Sequence, residues 1–219
     1  MTNFAQARHD MIEGQLRSSG VLDANVLAAI AQIPREEFLQ DSQKGFAYVD
    51  KDHKVGDSPL RYMGAPVPGA KLIELAEVTP NDIVLDIACG SGYSTAVLAH
   101  LANSVVAVET SAALVESANE TLSRLNISNA AVVQGDLARG APGEAPFDVI
   151  IIEGAVGEVP KTLLDQLRDG GRLVALLGNG ASATAVSYVK NQSGITRVPS
   201  FNACLPELEE FAVPEEFIL

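Results

Sequence analysis

The segment Val84-Leu85-Asp86-Ile87-Ala88-Cys89-Gly90-Ser91-Gly92-Tyr93 constrains this chain more than any other. A short apolar run enters a glycine-rich turn and leaves it as a helix. Gly90 and Gly92 permit tight backbone geometry and the close approach of a ligand. The rest of the chain from residue 70 repeats the same rhythm. Apolar runs at Ile83–Ile87, Val105–Val108, Ala131–Val133, Val149–Ile152 and Leu173–Leu177 alternate with helical stretches. The helices are expected at Ala70–Val78, Tyr93–Ala102, Ala112–Leu125 and Lys161–Arg168. Short continuous apolar strands separated by helices mean βαβ units and a parallel sheet covered on both faces. Asp169-Gly170-Gly171 stops the last helix ahead of its strand. Phe211–Val213 and Phe217–Leu219 are expected as terminal strands, forming an antiparallel pair.

Residues 4–33 read as helical, with Met11, Ile12, Gln15 and Leu16 on one face and Val21, Val26, Leu27 and Ile30 recurring at helical spacing. Gly20 separates two helices and Pro34 stops the second. Residues 35–69 read as irregular, and a loop that long inside a compact domain is usually functional. The chain therefore divides into an N-terminal helical extension with a covering loop, residues 1–69, and a main domain, residues 70–219. A formal net charge of −13 opposes nucleic acid and anionic membrane surfaces as partners. No apolar run reaches the ~18 residues of a membrane helix. The N-terminus lacks the apolar core of a signal peptide. Cys89 and Cys204 stand far apart and form no metal motif with His9, His53 or His100. A reducing cytoplasm is the expected location, and no metal is expected.

Charge placement narrows the ligand. Glu109 ends the second apolar run, 23 residues after Asp86, where dinucleotide-type sites hold ribose hydroxyls. Asp136, in Gln134-Gly135-Asp136 after the third run, is placed to accept from an adenine amino group. Asp86 itself precedes the glycines. A carboxylate there is unfavourable beside a pyrophosphate and favourable beside a sulfonium and an ammonium. Asp86 therefore argues for S-adenosylmethionine over a nicotinamide dinucleotide.

Several further segments resemble the protein-L-isoaspartate O-methyltransferase family. They are Gln15-Leu16-Arg17-Ser18-Ser19-Gly20, Ile33-Pro34-Arg35-Glu36-Glu37-Phe38, Ala47-Tyr48-Val49-Asp50, the turn Asp86–Tyr93, Gly135-Asp136, Ala145-Pro146-Phe147-Asp148 and Gln166–Val174. The resemblance spans about residues 5–180. It implies a Rossmann-like, S-adenosylmethionine-dependent methyltransferase with a mostly parallel seven-stranded sheet, helices on both faces and an N-terminal helical extension. The acceptor implied is the carboxyl of isoaspartyl residues in damaged proteins or peptides. Carried over, Asp86 with Ala88, Cys89, Gly90, Ser91 and Gly92 would hold the methionine part. Glu109 and Thr110 would hold the ribose, and Asp136 with Leu137 would flank the adenine.

The chain departs from the family at four places. The family's active-site serine falls on Gly64 and its threonine on Tyr62, leaving Ser58 and Tyr62 as candidate catalytic hydroxyls. The first glycine of the cofactor turn is Ala88, tolerable if its φ is negative. The C-terminal segment Phe201–Leu219 does not match the family's usual ending. Glu153 follows the fourth strand, where a small or hydroxyl residue is usual. An ionised Glu about 4 Å from an acceptor carboxylate costs several kcal/mol at an effective dielectric near 20. Glu153 is thus a third catalytic candidate, as a base or counter-ion for another small-molecule or protein acceptor. A cofactor-binding regulatory protein without turnover is the remaining alternative. The sequence leaves the oligomeric state open.

Overall fold

The structure is a computed structural model describing residues 3–56, 61–179 and 182–211. Helix α1 (Phe4–Met11) starts at Asn3, whose side chain accepts from the Gln6 amide at 3.2 Å. The helical path widens over Ile12–Leu16, tightens over Arg17–Ser19 and stops at Gly20 with φ +89°. Asp23 opens α2 (Ala24–Gln32) by accepting from the Asn25 and Val26 amides at 2.7 and 3.1 Å. Helical turns follow at Arg35–Phe38 and Lys44–Phe46. Strands β1 (His53–Lys54) and β2 (Tyr62–Met63) then pair antiparallel inside the segment read as irregular. Helix α3 (Pro66–Leu75) begins four residues earlier than expected. Pro66 suits a first helical position, where its fixed φ and missing N–H are no handicap.

The main domain runs β3 (Ile83–Ile87), α4 (Tyr93–Ala99), β4 (Ser104–Glu109), α5 (Ala112–Arg124), β5 (Ala130–Gln134), β6 (Phe147–Val156), α6 (Lys161–Asp165), β7 (Leu167–Asn179), β8 (Ser182–Asn191) and β9 (Gly194–Ala203). The seven strands lie in the order β5-β4-β3-β6-β7-β8-β9. They are parallel from β5 to β7, and β7-β8 and β8-β9 are antiparallel. This is a Rossmann-like sheet with an antiparallel hairpin at one edge, the architecture that the resemblance implies. Helix α6 stops short of Arg168 because Leu167 already pairs with Phe147 at the start of β7.

One expectation is corrected at Phe211, which opens no strand. Among the described residues the antiparallel strands are β8 and β9, a hairpin turning at residues 191–194. Phe211 closes a helical turn, Glu209–Phe211, and is buried; residues 212–219 lie outside the described residues. The hairpin wins locally because its strands are adjacent in sequence and continue directly from β7.

The sheet separates two apolar layers. Alternation along β3 sends Val84 to one side and Leu85 and Ile87 to the other. The first layer gathers α3, α4, α5 and the N-terminal helices, including Met11, Leu16, Ile30, Leu72, Leu98 and Leu122. The second gathers Leu163 of α6 with Phe147, Leu208 and Phe211. The expected boundary at residue 69 falls inside α3, and the extension shares its core with the sheet. Leu16 is fully buried in that shared layer. Leu16→Ala is expected to destabilise the whole chain by about 3 kcal/mol. Denaturant unfolding followed by two probes should show one cooperative transition shifted as a unit.

Candidate active site

The chain leaves β3 toward β4 and β5, then returns to lay β6 on the other side of β3. Ligands in such sheets bind at this reversal, beyond the carboxyl ends of the strands. The glycine turn sits there. Gly90 and Gly92 take φ of +56° and +87°. A Cβ on Gly90 would meet the Tyr62 carbonyl and Val55 at 3.4 Å, so β2 presses on the turn. Ala88 also has a positive φ, +63°, with its amide donating to the Val108 carbonyl at 2.9 Å. The expectation of a negative φ at Ala88 is therefore corrected. The turn keeps its left-handed geometry and the alanine methyl bears the strain.

Asp86 is fully buried at the end of β3. Its Oδ2 accepts from Ser94 Oγ at 3.1 Å and Thr95 Oγ1 at 2.7 Å, both on the first turn of α4. Its Oδ1 has no partner. Burial pushes this carboxyl up to about 7, against the two hydroxyls, with Glu109 adding to the rise.

Glu153 stands across the reversal on β6. Asp86 pairs with Ile151, which places Glu153 two residues beyond. The β6-β7 register slips between Ile151 and Ala155, so Glu153 lies on a bulge. Bulges beside active sites re-aim side chains, and this one turns Glu153 into a cavity. Tyr62, Met63, Gly64, Ala65, Ala88, Cys89, Ser94 and Arg35 also line that cavity. Glu153 Oε1 is buried without a partner. Burial, reinforced by Asp86, drives the Glu153 carboxyl well above the usual range. Ser94 touches both acids and has one hydroxyl proton, which it donates to Asp86. The Ser94 hydroxyl also acts on Glu153, working against the rise that burial imposes.

The covering segments close over these groups. Arg35 is fully buried, with Nε donating to the Ala47 carbonyl at 2.8 Å and a second nitrogen donating to the Gly64 carbonyl. Its guanidinium lies 4.6 Å from the Tyr93 ring centroid. A Cβ on Gly64 would come within 2.8 Å of Leu205, so a residue with a side chain displaces Leu205. The segment after β9 crosses the end of β6. The Ala155 amide donates to the Pro206 carbonyl at 2.9 Å and the Leu208 amide to the Ala155 carbonyl at 2.8 Å.

Glu109 is fully buried and heavily engaged. Its carboxylate accepts from the amides of Gly90, Thr110 and Ser111 at 2.7 to 3.1 Å and from Arg61 Nε at 3.0 Å. Arg61 also donates to Thr110 Oγ1 at 3.0 Å and pairs with Glu210. Burial works against the Arg61 charge, and Glu210 and Glu109 more than restore it.

The structure thus brings together Asp86, Ala88, Cys89, Gly90, Ser91, Gly92, Glu109, Thr110, Tyr62 and Glu153 at one end of the sheet. Asp136 is exposed beside them, with Oδ1 accepting from the Ala138 amide at 2.9 Å, and Leu137 is buried beneath. Ser58 lies outside the described residues. Arg35, Arg61, Ser94, Thr95 and Glu210 were not singled out from the sequence. The segment Pro34–Phe38 carried the only signal for any of them.

The protein-L-isoaspartate(D-aspartate) O-methyltransferase family matches residues 6–205. A Methanoculleus marisnigri protein-L-isoaspartate O-methyltransferase is 37% identical over 201 residues, 92% of this chain and 90% of the relative. A solved protein-L-isoaspartate O-methyltransferase superposes with a TM-score of 0.80 at 28% identity, over 92% of this chain and 65% of that one. A Plasmodium falciparum structure in complex with S-adenosyl-L-homocysteine shares the fold, with a TM-score of 0.77 at 21% identity over 96% and 100% of the two chains.

Two outcomes follow from the turn and its acid. Ala88→Gly is expected to raise stability by about 1 kcal/mol through relief of the left-handed strain, read as a higher melting temperature. Asp86 holds its proton to a higher pH folded than unfolded. Its contribution is present at low pH and is lost as pH rises from about 4 to about 7. Denaturant titrations across that window should show stability falling, and Asp86→Asn should flatten the slope.

Proposed function

This chain belongs to the protein-L-isoaspartate(D-aspartate) O-methyltransferase family, and on that premise we propose that it methylates the carboxyl of isoaspartyl residues in damaged proteins, using S-adenosylmethionine. The observation that carries the reading is the meeting of the glycine turn, buried acids with unpartnered oxygens and a cavity at the reversal of the sheet. Those oxygens suit a ligand with cationic hydrogen-bond donors at one end. Asp86 and residues 88–92 are assigned to the methionine part, Glu109 and Thr110 to the ribose, and Asp136 with Leu137 to the adenine. Arg61 and Glu210 occupy Glu109 and Thr110 in the structure, so a ribose reaching those residues must share or displace Arg61.

When bound, S-adenosylmethionine supplies an electrophilic methyl group on a sulfonium. An acceptor carboxylate is already a competent nucleophile and needs no base. The chain's task is then positioning and exclusion of water, which supply much of the barrier reduction. Strand β2, helix α3 and the N-terminal residues Met11, Leu16 and Ile30 line the cavity opposite the glycine turn. The charge objection to a carboxylate acceptor is weakened, because burial disfavours the ionised form of the Glu153 carboxyl. No helix among the described residues is long and apolar enough to cross a membrane.

Labelled methyl transfer to an isoaspartyl peptide, with the matched aspartyl peptide as control, tests the reading. The expected outcome is a base-labile methyl ester on the isoaspartyl peptide alone. Equal labelling of both peptides, or of neither, overturns the acceptor.

A further inference from the structure

Glu153 is an expensive residue to keep where it stands. A buried carboxyl oxygen with no donor destabilises the fold relative to an apolar replacement. The surrounding fold supplies no donor to its Oε1. The bulge between Ile151 and Ala155 aims the side chain into the cavity, and Oε1 ends there unpartnered. Asp86, fully buried on the neighbouring strand, leaves Oδ1 unpartnered as well. Ser94 ties the two carboxyls together. The charged groups acting on Glu153 are Asp86 and Arg35. Arg35 directs its donors to the Ala47 and Gly64 carbonyls and lays its face on Tyr93, so it is not Glu153's partner.

Two orphaned acceptor oxygens on two linked acids call for a compact group that only donates. A primary ammonium has three N–H donors and no acceptor. A divalent cation is a poorer match: magnesium and calcium take six or more oxygens, and no cluster of three His, Cys, Asp or Glu exists among the described residues. We propose that Glu153 is a second cofactor-binding residue, which with Asp86 receives the α-ammonium of the cofactor's amino-acid part. The inference rests on the cofactor reading above and not on the identity of the acceptor. It reassigns Glu153 from the acceptor side of the site to the donor side.

The test is equilibrium binding by calorimetry on the full chain, with two ligands. S-adenosylhomocysteine carries the ammonium; 5′-methylthioadenosine shares the nucleoside and lacks the amino-acid part. Glu153→Leu is expected to weaken S-adenosylhomocysteine about tenfold or more, the size of one hydrogen bond to a charged group, and to leave methylthioadenosine unchanged. The ligand-free variant should melt no lower than the wild type, because an unsatisfied buried carboxyl has been removed. Should Glu153→Leu not fold, Glu153→Ala gives the same comparison. Unchanged S-adenosylhomocysteine affinity, or equal weakening of both ligands, overturns the proposal while leaving the methyltransferase reading intact. Failure of the wild type to bind S-adenosylhomocysteine overturns both.

Discussion

Arg35 directs one guanidinium at three parts of the chain. It donates to the carbonyls of Ala47 and Gly64 and lies against the ring of Tyr93, the first residue of α4. Burial lowers its proton affinity, and Tyr93, Tyr48 and Asp50 work in the opposite direction. A fully buried cation must be satisfied on every side or be expelled. That requirement fixes the covering strands at Gly64, the extension at Ala47 and the helix that leaves the glycine turn in one arrangement. Neighbouring contacts follow from it. Phe38 packs edge-on against Tyr93 with centroids 5.7 Å apart, and Tyr48 links Arg8 to Glu36.

Beneath this cover, several locally unfavourable features fall together. Ala88 holds a left-handed backbone, Asp86 and Glu153 keep unpaired buried oxygens, and Glu109 binds a buried arginine. All four stand within a few residues of the strand ends flanking the reversal of the sheet. Local conflict of this kind is affordable only where the surrounding core over-determines the geometry. The two apolar layers supply that support, since β3 and the first part of β6 are buried on both faces.

The architecture was legible because parallel strands buried on both sides read as continuous apolar runs, such as Ile83–Ile87 and Val149–Ile152. The hairpin at β8 and β9 was not, although Thr184, Val186, Tyr188, Thr196 and Val198 carry β-forming side chains and Asn191–Gly194 a turn. Its outer strand is largely exposed and shows no apolar run to find. The cofactor-side residues were legible from spacing, being adjacent to the turn in sequence. Arg61 and Glu210 were not, because Arg61 bonds Glu109 across 48 residues and Glu210 across 149. Nor could spacing reveal that the Glu153 carboxyl is shifted upward, since that depends on burial and on the company of Asp86.

The hairpin that the sequence concealed decides how the sheet ends. A long edge strand is an open template for a neighbouring chain. On β9, Ile195 and Val198 are exposed, as such a template would require. Yet Pro199 stands opposite Val186 with no N–H to offer, and the register slips beside it between Thr184 and Val186. The ladder is interrupted midway and Arg197 adds a charge alongside. The far edge is thus built to resist an eighth strand from another molecule, which protects against aggregation.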